Sequence, residues 1–510
     1  MTMELLSLDD TLSWLKKNVK GEIHTDSRLI QKGDGFIAWP GLGNDARQHI
    51  FHAQANGASV CLIEREGLNS NDIWGDDVGT YLGLQEVCGN LVSDFYKTPS
   101  ARLKLVAITG TNGKTSTAWW LAQALTNLRL ANPISCAMVG TLGIGLVSPL
   151  GNASNDIPKS LIPTGLTTPD PIVLQRNLNN FVKKGILACA LEASSIGLEE
   201  LRLKGTHIHT AVITNFSQDH LDYHNDMASY WLAKSNMFDM LGIKAVVINT
   251  DTPQCQSLAM KMNGRGVEIW TVSINHPAHL QGVNITYTEE GLRFDVIESI
   301  DGNRVILPVQ TQILGSYNVE NLLVVIGAMR SLGVNLNAAV EVCQRLASVP
   351  GRMNFIREER TPLAVVDYAH TPDALRNVLI ALQPVTKKRG GRLWCVFGCG
   401  GSRDSMKRPM MGAIASQYAD QVIVTSDNPR NEEENSIIAQ ILQGVKGQSN
   451  VRVVVERRNA IEVVFQNAQE QDVILIAGKG HEAYQEVKGK KILFSDFSHV
   501  QAELGKKKVI

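Results

Sequence analysis

The chain has 510 residues and a formal net charge of −1, from 49 basic and 50 acidic side chains. That length exceeds one core and points to about three domains. The balanced charge gives no case for nucleic acid or an anionic membrane, so small-molecule partners are expected. No apolar run is long enough to span a bilayer, and residues 1–20 carry acidic groups with no cleavage pattern, so a cytoplasmic monomer is expected. The eight cysteines are scattered through apolar strands and are expected to be buried, reduced thiols.

Residues 1 to about 102 alternate short strands and helices, with Asp26-Ser-Arg28 and a turn at 41–45 between them. Within them, Ala53 to Glu64 reads as a helix end, a Gly57 stop and a strand. Alone, this is an anonymous α/β unit.

A second α/β domain, 103 to about 348, opens with an apolar strand through Leu105, Val106, Ala107 and Ile108. A tight turn from Thr109 to Gly113 and a helix from Thr115 to Leu128 follow. This is a phosphate loop: Gly110 and Gly113 turn backbone N–H groups inward, Lys114 adds a point charge, and the Thr115 hydroxyl can hold Mg²⁺. The spacing is shorter than the usual one because Ile108 stands in place of the first glycine. Further buried parallel strands are expected at Ile186–Leu191, His209–Asn215 and Lys244–Asn249. Ligands sit at the carboxyl ends of such strands, which selects Glu192, Asn215, Asp219, His220, Asp222 and His224. The segment 218–224 is dense in metal-capable groups. A helix from Met227 to Phe238 carries Lys234 among apolar neighbours, where a lone lysine normally snorkels to solvent. Residues 266–313 read as β-rich, with Gly282, Gly291 and Asp301-Gly302 as turns. An apolar helix then runs to Leu332, stopped by Gly333; Asn318 and Asn321 share a face at its start, as caps or as nucleotide contacts.

The third segment, 349–510, opens at Pro350-Gly-Arg352, with strands expected at Ala364–Asp367, Leu393–Phe397, Gln421–Thr425, Arg452–Val455 and Val473–Ala477. It reads as a Rossmann-like doubly wound domain. Its edge loops hold Asp367-Tyr-Ala-His370, Gly398 to Asp404, Asp427-Asn-Pro-Arg430 and Gly478-Lys-Gly-His-Glu482. A nucleotide site on one domain and a charged sheet edge on another point to a reaction assembled between domains. Arg403 and Arg430 can clamp a carboxylate while Asp427 or Glu482 takes an ammonium, so an amino acid is the expected ligand.

The ordered set Gly110 to Thr115, Thr167-Thr-Pro169, Glu192-Ala-Ser-Ser195, Asn215 to Asp222, Ala233-Lys234, Gly351-Arg352, Asp367 to His370, Asp427 to Arg430 and Gly478 to Glu482 resembles the Mur ligases. The likeness runs from about Asp26 to Glu482, and its branch is the one that adds the third residue of the peptidoglycan stem peptide. The resemblance implies ATP-driven amide synthesis with Mg²⁺. The γ-phosphoryl group passes to the D-glutamate side-chain carboxylate of UDP-N-acetylmuramoyl-L-alanyl-D-glutamate, and the amine of the third amino acid attacks the acyl phosphate. Three α/β domains are implied: 1–102 for the UDP-sugar, 103–348 a P-loop ATPase domain, and 349–510 for the amino acid.

By this resemblance Gly110, Thr111, Asn112, Gly113, Lys114, Thr115 and Ser116 bind ATP, with Asn318, Arg352 and Asp367 reaching the nucleotide from the domain edges. Lys114, His220 and Lys234 carry catalysis, and Thr115, Glu192 and His220 hold Mg²⁺. Lys234 matches the lysine that becomes a carbamate (N6-carboxylysine). Thr25, Ser27, Thr167, Thr168, Ser194, Glu200 and Arg202 match positions holding the UDP-sugar peptide. Arg403, Asp427, Asn428, Pro429, Arg430, Gly478 and Glu482 match the amino-acid side, and the arginine form of the 427–430 loop goes with meso-diaminopimelate, whose second carboxylate needs a cation.

The chain departs from the pattern at Leu42-Gly-Asn44, Leu166, Ile196, Glu200 and Asn354, mostly on the UDP-sugar side. An L-lysine-adding ligase, a folylpolyglutamate or cyanophycin-type ligase, and a non-catalytic nucleotide-gated scaffold are the alternatives.

Overall fold

Three large sheets and one small hairpin carry the chain in this computed structural model, which describes all residues except 1–2, 42–44, 69–73, 130–132, 148–149, 151–156, 289–290, 446, 448 and 508–510. The departure at Leu42-Gly-Asn44 therefore lies outside the described residues. Among the described residues no helix is long and apolar enough to cross a membrane.

The first sheet is all parallel, with spatial order Met3–Glu4, Val78–Tyr81, Val60–Glu64, Gly35–Ala38, Ile23–His24. The expected helix stop is present: the helix Ile50–Ala55 ends before Gly57, where φ is 103° and a Cβ would stand 2.9 Å from Lys32 Cα. The strand Val60–Glu64 follows.

The second sheet runs Asn303–Thr311, Leu292–Ile300, Leu280–Tyr287, Glu268–Ser273, Ala245–Asn249, Thr210–Ile213, Lys104–Thr109, Ala188–Glu192, Cys136–Gly140, Gly143–Gly145. Its seven inner strands, from Leu280–Tyr287 to Cys136–Gly140, are parallel, and antiparallel strands extend both edges. The parallel strands are apolar throughout because helices cover both faces. Helices Lys114–Thr126 and Ser316–Ser331 pack Trp120, Leu121, Leu322 and Ile326 on one side. Pro171–Lys183 and Pro253–Met262 pack Leu174, Leu178 and Leu258 on the other. Gly333, at φ 86°, ends the long helix as expected.

Gly282 corrects one reading. It lies inside the strand Leu280–Tyr287, not in a turn, and a Cβ there would stand 2.9 Å from Val319 Cγ1 and 3.2 Å from Leu323 Cδ1. The missing side chain admits a helix against the sheet. Asp301-Gly302 does turn, with φ of 49° and 79°, between the strands ending at Ile300 and starting at Asn303.

The third sheet runs Asn354–Ile356, Leu363–Asp367, Val473–Ala477, Leu393–Phe397, Gln421–Val424, Val451–Val453, with only the first strand antiparallel. Leu375, Leu379 and Met411 fill one face, and Ile461, Phe465 and Val500 the other, so the doubly wound expectation holds. All eight cysteines are free and buried.

Gly282→Val is expected to lower the stability of the central domain by about 1–3 kcal/mol through overpacking against Val319. Denaturant unfolding followed by tryptophan fluorescence checks this.

Candidate active site at the facing sheet edges

The phosphate loop is held by its neighbouring strand. Because Thr210–Ile213 pairs beside Lys104–Thr109, the residues after both strands meet. Asn112 N donates to Asn215 Oδ1 at 2.9 Å, Thr214 Oγ1 donates to Asn112 O at 2.6 Å, and Thr111 N donates to Asn215 O at 3.1 Å. Both loop glycines are forced. A Cβ on Gly110 (φ 140°) would stand 2.0 Å from Thr214 Oγ1, and one on Gly113 (φ 84°) 2.3 Å from Asn321 Oδ1. Asn318 Nδ2 donates to Leu314 O at 2.7 Å and Asn321 Nδ2 to Asn318 Oδ1 at 3.0 Å, so the two asparagines brace the helix start against the loop. Lys114 Nζ folds back on Gly110 O (2.8 Å) and Thr111 O (2.9 Å), and burial lowers its pKa. Ser116 is buried in the first turn of the helix.

Glu192 ends the adjacent strand, fully buried. Its Oε2 accepts from Thr115 Oγ1 at 2.8 Å and Thr141 Oγ1 at 3.1 Å, and its Oε1 from Thr141 N at 2.9 Å. Burial raises its pKa, while those donors and Lys114 oppose the rise. His220 (φ 54°) stands 3.4 Å from Asp219 Oδ2; burial lowers its pKa, and Lys114 and Lys234 act in the same direction. Among the described residues no group of three or more His, Cys, Asp or Glu converges. The dense segment 218–224 divides instead. His224 turns away from the loop, Nε2 lying 3.0 Å from Ser195 Oγ and Nδ1 2.9 Å from Glu199 Oε2, while Asp222 is exposed.

Lys234 does not snorkel. It is 1% exposed, whereas Leu232 on the same helix is 58% exposed. Its Nζ donates to Gly110 O at 2.9 Å and sits 4.4 Å from the Tyr230 ring centroid, so the interior supplies what solvent would. Burial, with Lys114 adding repulsion, pushes its pKa well down.

Five of the residues matched to the UDP-sugar peptide form one group. Thr168 Oγ1 donates to Glu192 O at 2.9 Å and lies 3.0 Å from Ser194 Oγ, and Thr167 Oγ1 is 3.1 Å from Thr141 Oγ1. Arg202 Nη1 donates to Thr168 O at 2.7 Å, and its Nε reaches Glu200 Oε2 at 2.9 Å. Glu200, a departure from the pattern, is thus the ion partner of Arg202. Thr25 and Ser27 stay with the first sheet, Ser27 Oγ lying 2.9 Å from His52 Nδ1. Among the described residues no hydrogen bond joins them to the Thr167–Ser194 group. Arg176 Nη1, donating to Ile23 O at 2.9 Å, fastens the first sheet beside them. Leu166 is 43% exposed, and Asn354 is buried with no hydrogen bond to its Oδ1 among the described residues.

The third sheet contributes from the opposite edge. Asp367 accepts from Met353 N at 2.6 Å and Ala369 N at 2.7 Å, so its carboxylate braces the turn carrying Arg352. Arg352 Nη2 reaches Thr115 Oγ1 at 3.4 Å, and its Cζ lies 4.3 Å from the Tyr368 ring centroid. Tyr368 in turn meets His481 at 5.3 Å. This chain of contacts joins the phosphate loop to the Gly478–Glu482 loop. There Asn428 Nδ2 donates to Glu482 Oε2 at 2.8 Å, and a Cβ on Gly478 would stand 2.4 Å from Asp427 Oδ2. Arg430 Nη1 donates to Gly401 O at 2.9 Å; with Arg403 Cγ it crowds the Cβ position of Gly400, at 2.9 and 3.9 Å, so both arginines share one corner. Gly401 N donates to Asn428 O at 2.9 Å and Pro429 O fills the space beside Gly401, locking the two loops together. Thr141, Tyr368, Lys479 and Arg457 have no sequence assignment. Lys479 was visible inside its motif, whereas Arg457 sits on a plain helix and only the tertiary fold brings it in.

A phosphate loop in contact with the edge of a second doubly wound sheet is the arrangement of a nucleotide-binding α/β protein. Family models for the Mur ligase middle domain match residues 108–329, and for the Mur ligase glutamate ligase domain 351–480. The UDP-N-acetylmuramoyl-L-alanyl-D-glutamate--2,6-diaminopimelate ligase of Acidovorax sp. (strain JS42) is 50% identical over 506 residues, covering 99% of this chain and 98% of its own. A solved structure of a ligase of the same name is 34% identical with a TM-score of 0.62, covering 96% of this chain and 95% of its own. The MurF ligase of Thermotoga maritima, solved with ADP, shares the fold at a TM-score of 0.64 and 17% identity, covering 96% and 98%. The chain belongs to the Mur ligase family.

Burial, then Arg352 and Lys479, lowers the His481 pKa from 6.5 to about 3, so the folded state holds a neutral imidazole. That contribution to stability is full above 6.5 and is lost as pH falls toward about 3. His481→Gln is expected to flatten the acid-side fall in melting temperature, checked by thermal unfolding across that range.

Proposed function

We propose that this chain is the ATP-dependent ligase that joins meso-2,6-diaminopimelate to the D-glutamate side-chain carboxylate of UDP-N-acetylmuramoyl-L-alanyl-D-glutamate, acting as a cytoplasmic monomer. The observation that carries this reading is the convergence on Thr115: the Glu192 carboxylate approaches from the central domain and the Arg352 guanidinium from the third. Domain boundaries fall at 102/103 and 348/349, giving UDP-sugar, ATP and amino-acid domains.

The physical problem is to bring a carboxylate against a triphosphate. In the proposed reaction Lys114 leaves the Gly110 and Thr111 carbonyls for the β- and γ-phosphates, and loop N–H groups hold the remaining oxygens. Arg352 approaches the same phosphates from the third domain and neutralises charge as the γ-phosphoryl group moves to the acceptor oxygen. The amine of diaminopimelate then attacks the acyl phosphate, its proton leaves, and phosphate departs. The hydroxyl of Thr115 beside the carboxylate of Glu192 is a hard-oxygen donor set that fits Mg²⁺; when bound there, the ion would supply charge neutralisation on the phosphates. Mg²⁺ takes few protein ligands and keeps water, in accord with the small donor set.

Lys234 is suited to carbamate formation. Burial favours the neutral amine over the ammonium, and the neutral amine adds CO₂ with loss of one proton, which places an anion beside Lys114. At the far end Arg430 and Arg403 receive the second carboxylate of diaminopimelate, while Asp427 and Glu482 face its ammonium groups.

Phosphate release is expected to require both the UDP-muramoyl dipeptide and meso-diaminopimelate, with L-lysine poorer by on the order of 10²-fold or more in kcat/KM. Equal use of L-lysine overturns the amino-acid assignment. Arg430→Gln should cost on the order of 10²–10³-fold with diaminopimelate and little with L-lysine, read from steady-state kinetics. Incubation with ¹³C-bicarbonate should give a carbamate resonance that Lys234→Arg abolishes; an unlabelled Lys234 in active protein contradicts the carbamate.

A further inference from the structure

Two cations lie wholly inside the third domain, where no substrate contact has been assigned to them. The Arg457 and Lys479 side chains are both 0% exposed. Arg457 begins the helix Arg457–Asn467. Its Nε and Nη2 donate to Asp496 Oδ1 and Oδ2, each at 2.7 Å. Its remaining reach goes to two backbone carbonyls, Ala477 O at 2.9 Å and Ser426 O at 3.3 Å. Those residues immediately precede Gly478 and Asp427, so one guanidinium ties the roots of both amino-acid loops. Its Nη1 stands 4.0 Å from Asp427 Oδ2.

Lys479 does the same one layer closer to the pocket. Its Nζ donates to Asn428 Oδ1 at 2.9 Å and to Glu482 Oε2 at 3.0 Å, and Asn428 Nδ2 donates to the same Glu482 oxygen at 2.8 Å. Among the described residues nothing donates to Glu482 Oε1. One carboxylate oxygen is therefore fixed from behind and the other is left for a ligand.

We propose that Arg457 and Lys479 are positioning residues for the incoming amino acid, Arg457 setting Asp427 and Lys479 setting Asn428 and Glu482. This rests on the reading of those two loops as the diaminopimelate site. Stability alone is a poor explanation for the buried charge, because a well-packed apolar pair in place of a buried ion pair is often neutral or stabilising. What an apolar pair would not do is hold two loop carbonyls and a carboxylate in register. Asp496 opens the helix Asp496–Lys507, so through Arg457 that helix anchors the roots of both loops.

The test uses the purified full chain with Arg457→Met/Asp496→Leu, Arg457→Lys and Lys479→Met, measuring melting temperature, kcat and the KM of each substrate. The double variant should melt at or above wild type, while KM for meso-diaminopimelate rises on the order of 10-fold or more and KM for ATP stays within about 2-fold. Lys479→Met should raise the same KM, and Arg457→Lys should recover part of the loss. Unchanged KM for diaminopimelate in the folded double variant overturns the proposal, as does an equal rise in KM for ATP. No phosphate release by wild type with meso-diaminopimelate overturns the underlying reading, and this one with it.

Discussion

The hydroxyl of Thr115 lies between a carboxylate and a guanidinium from different domains, 2.8 Å from Glu192 Oε2 and 3.4 Å from Arg352 Nη2. The rest of the molecule serves that junction. Parallel pairing puts the carboxyl ends of Lys104–Thr109 and Ala188–Glu192 side by side, so the phosphate loop and Glu192 emerge together. A side chain on Gly140 would strike Glu192 Oε1 at 2.1 Å, so the neighbouring strand must also yield space. From the third domain, Asp367 spends both carboxylate oxygens on backbone N–H groups to aim the Arg352 turn. An anion held beside a phosphate site is costly unless cations stand opposite, and Lys114 and Arg352 both act on Glu192.

The loops proposed for the amino acid repeat this logic with the signs exchanged. Asp427 and Glu482 have Arg457 and Lys479 behind them, and Arg430 meets Glu486 at 3.3 Å. Asp427, Glu482 and Arg430 thus each have an opposite charge in the scaffold, whereas among the described residues no ion pair holds Arg403. The residues proposed for the UDP-sugar peptide depart from the family pattern in the same electrostatic terms. Glu200 occupies Arg202, so under the proposed function an anionic substrate group competes with an internal carboxylate for that guanidinium.

Much of this was legible in the sequence because parallel strands buried on both faces are continuous apolar runs, and ligand loops follow them at a fixed edge. Leu393–Phe397 and Val473–Ala477 have the expected bounds. The Asp427–Arg430 and Gly478–Glu482 loops, fifty residues apart, do meet. Local pattern fails where a residue answers to a distant partner. Gly282 resembles a turn until Val319 is seen above it, and Lys234 resembles a surface lysine until the Gly110 carbonyl appears beneath it. His224 belongs to a segment dense in metal-capable groups, yet its nitrogens lie beside Ser195 and Glu199. Arg457 carries no sequence signature because its partners, Ser426, Ala477 and Asp496, come from three separate segments.

The central claim is that a carboxylate is activated by direct phosphoryl transfer at the Thr115 junction. The most direct measurement is ¹⁸O transfer from UDP-muramoyl dipeptide labelled in the D-glutamate side-chain carboxylate, followed by mass spectrometry of the released phosphate. The account predicts one ¹⁸O in each phosphate derived from doubly labelled carboxylate. Unlabelled phosphate formed alongside amide product would contradict it.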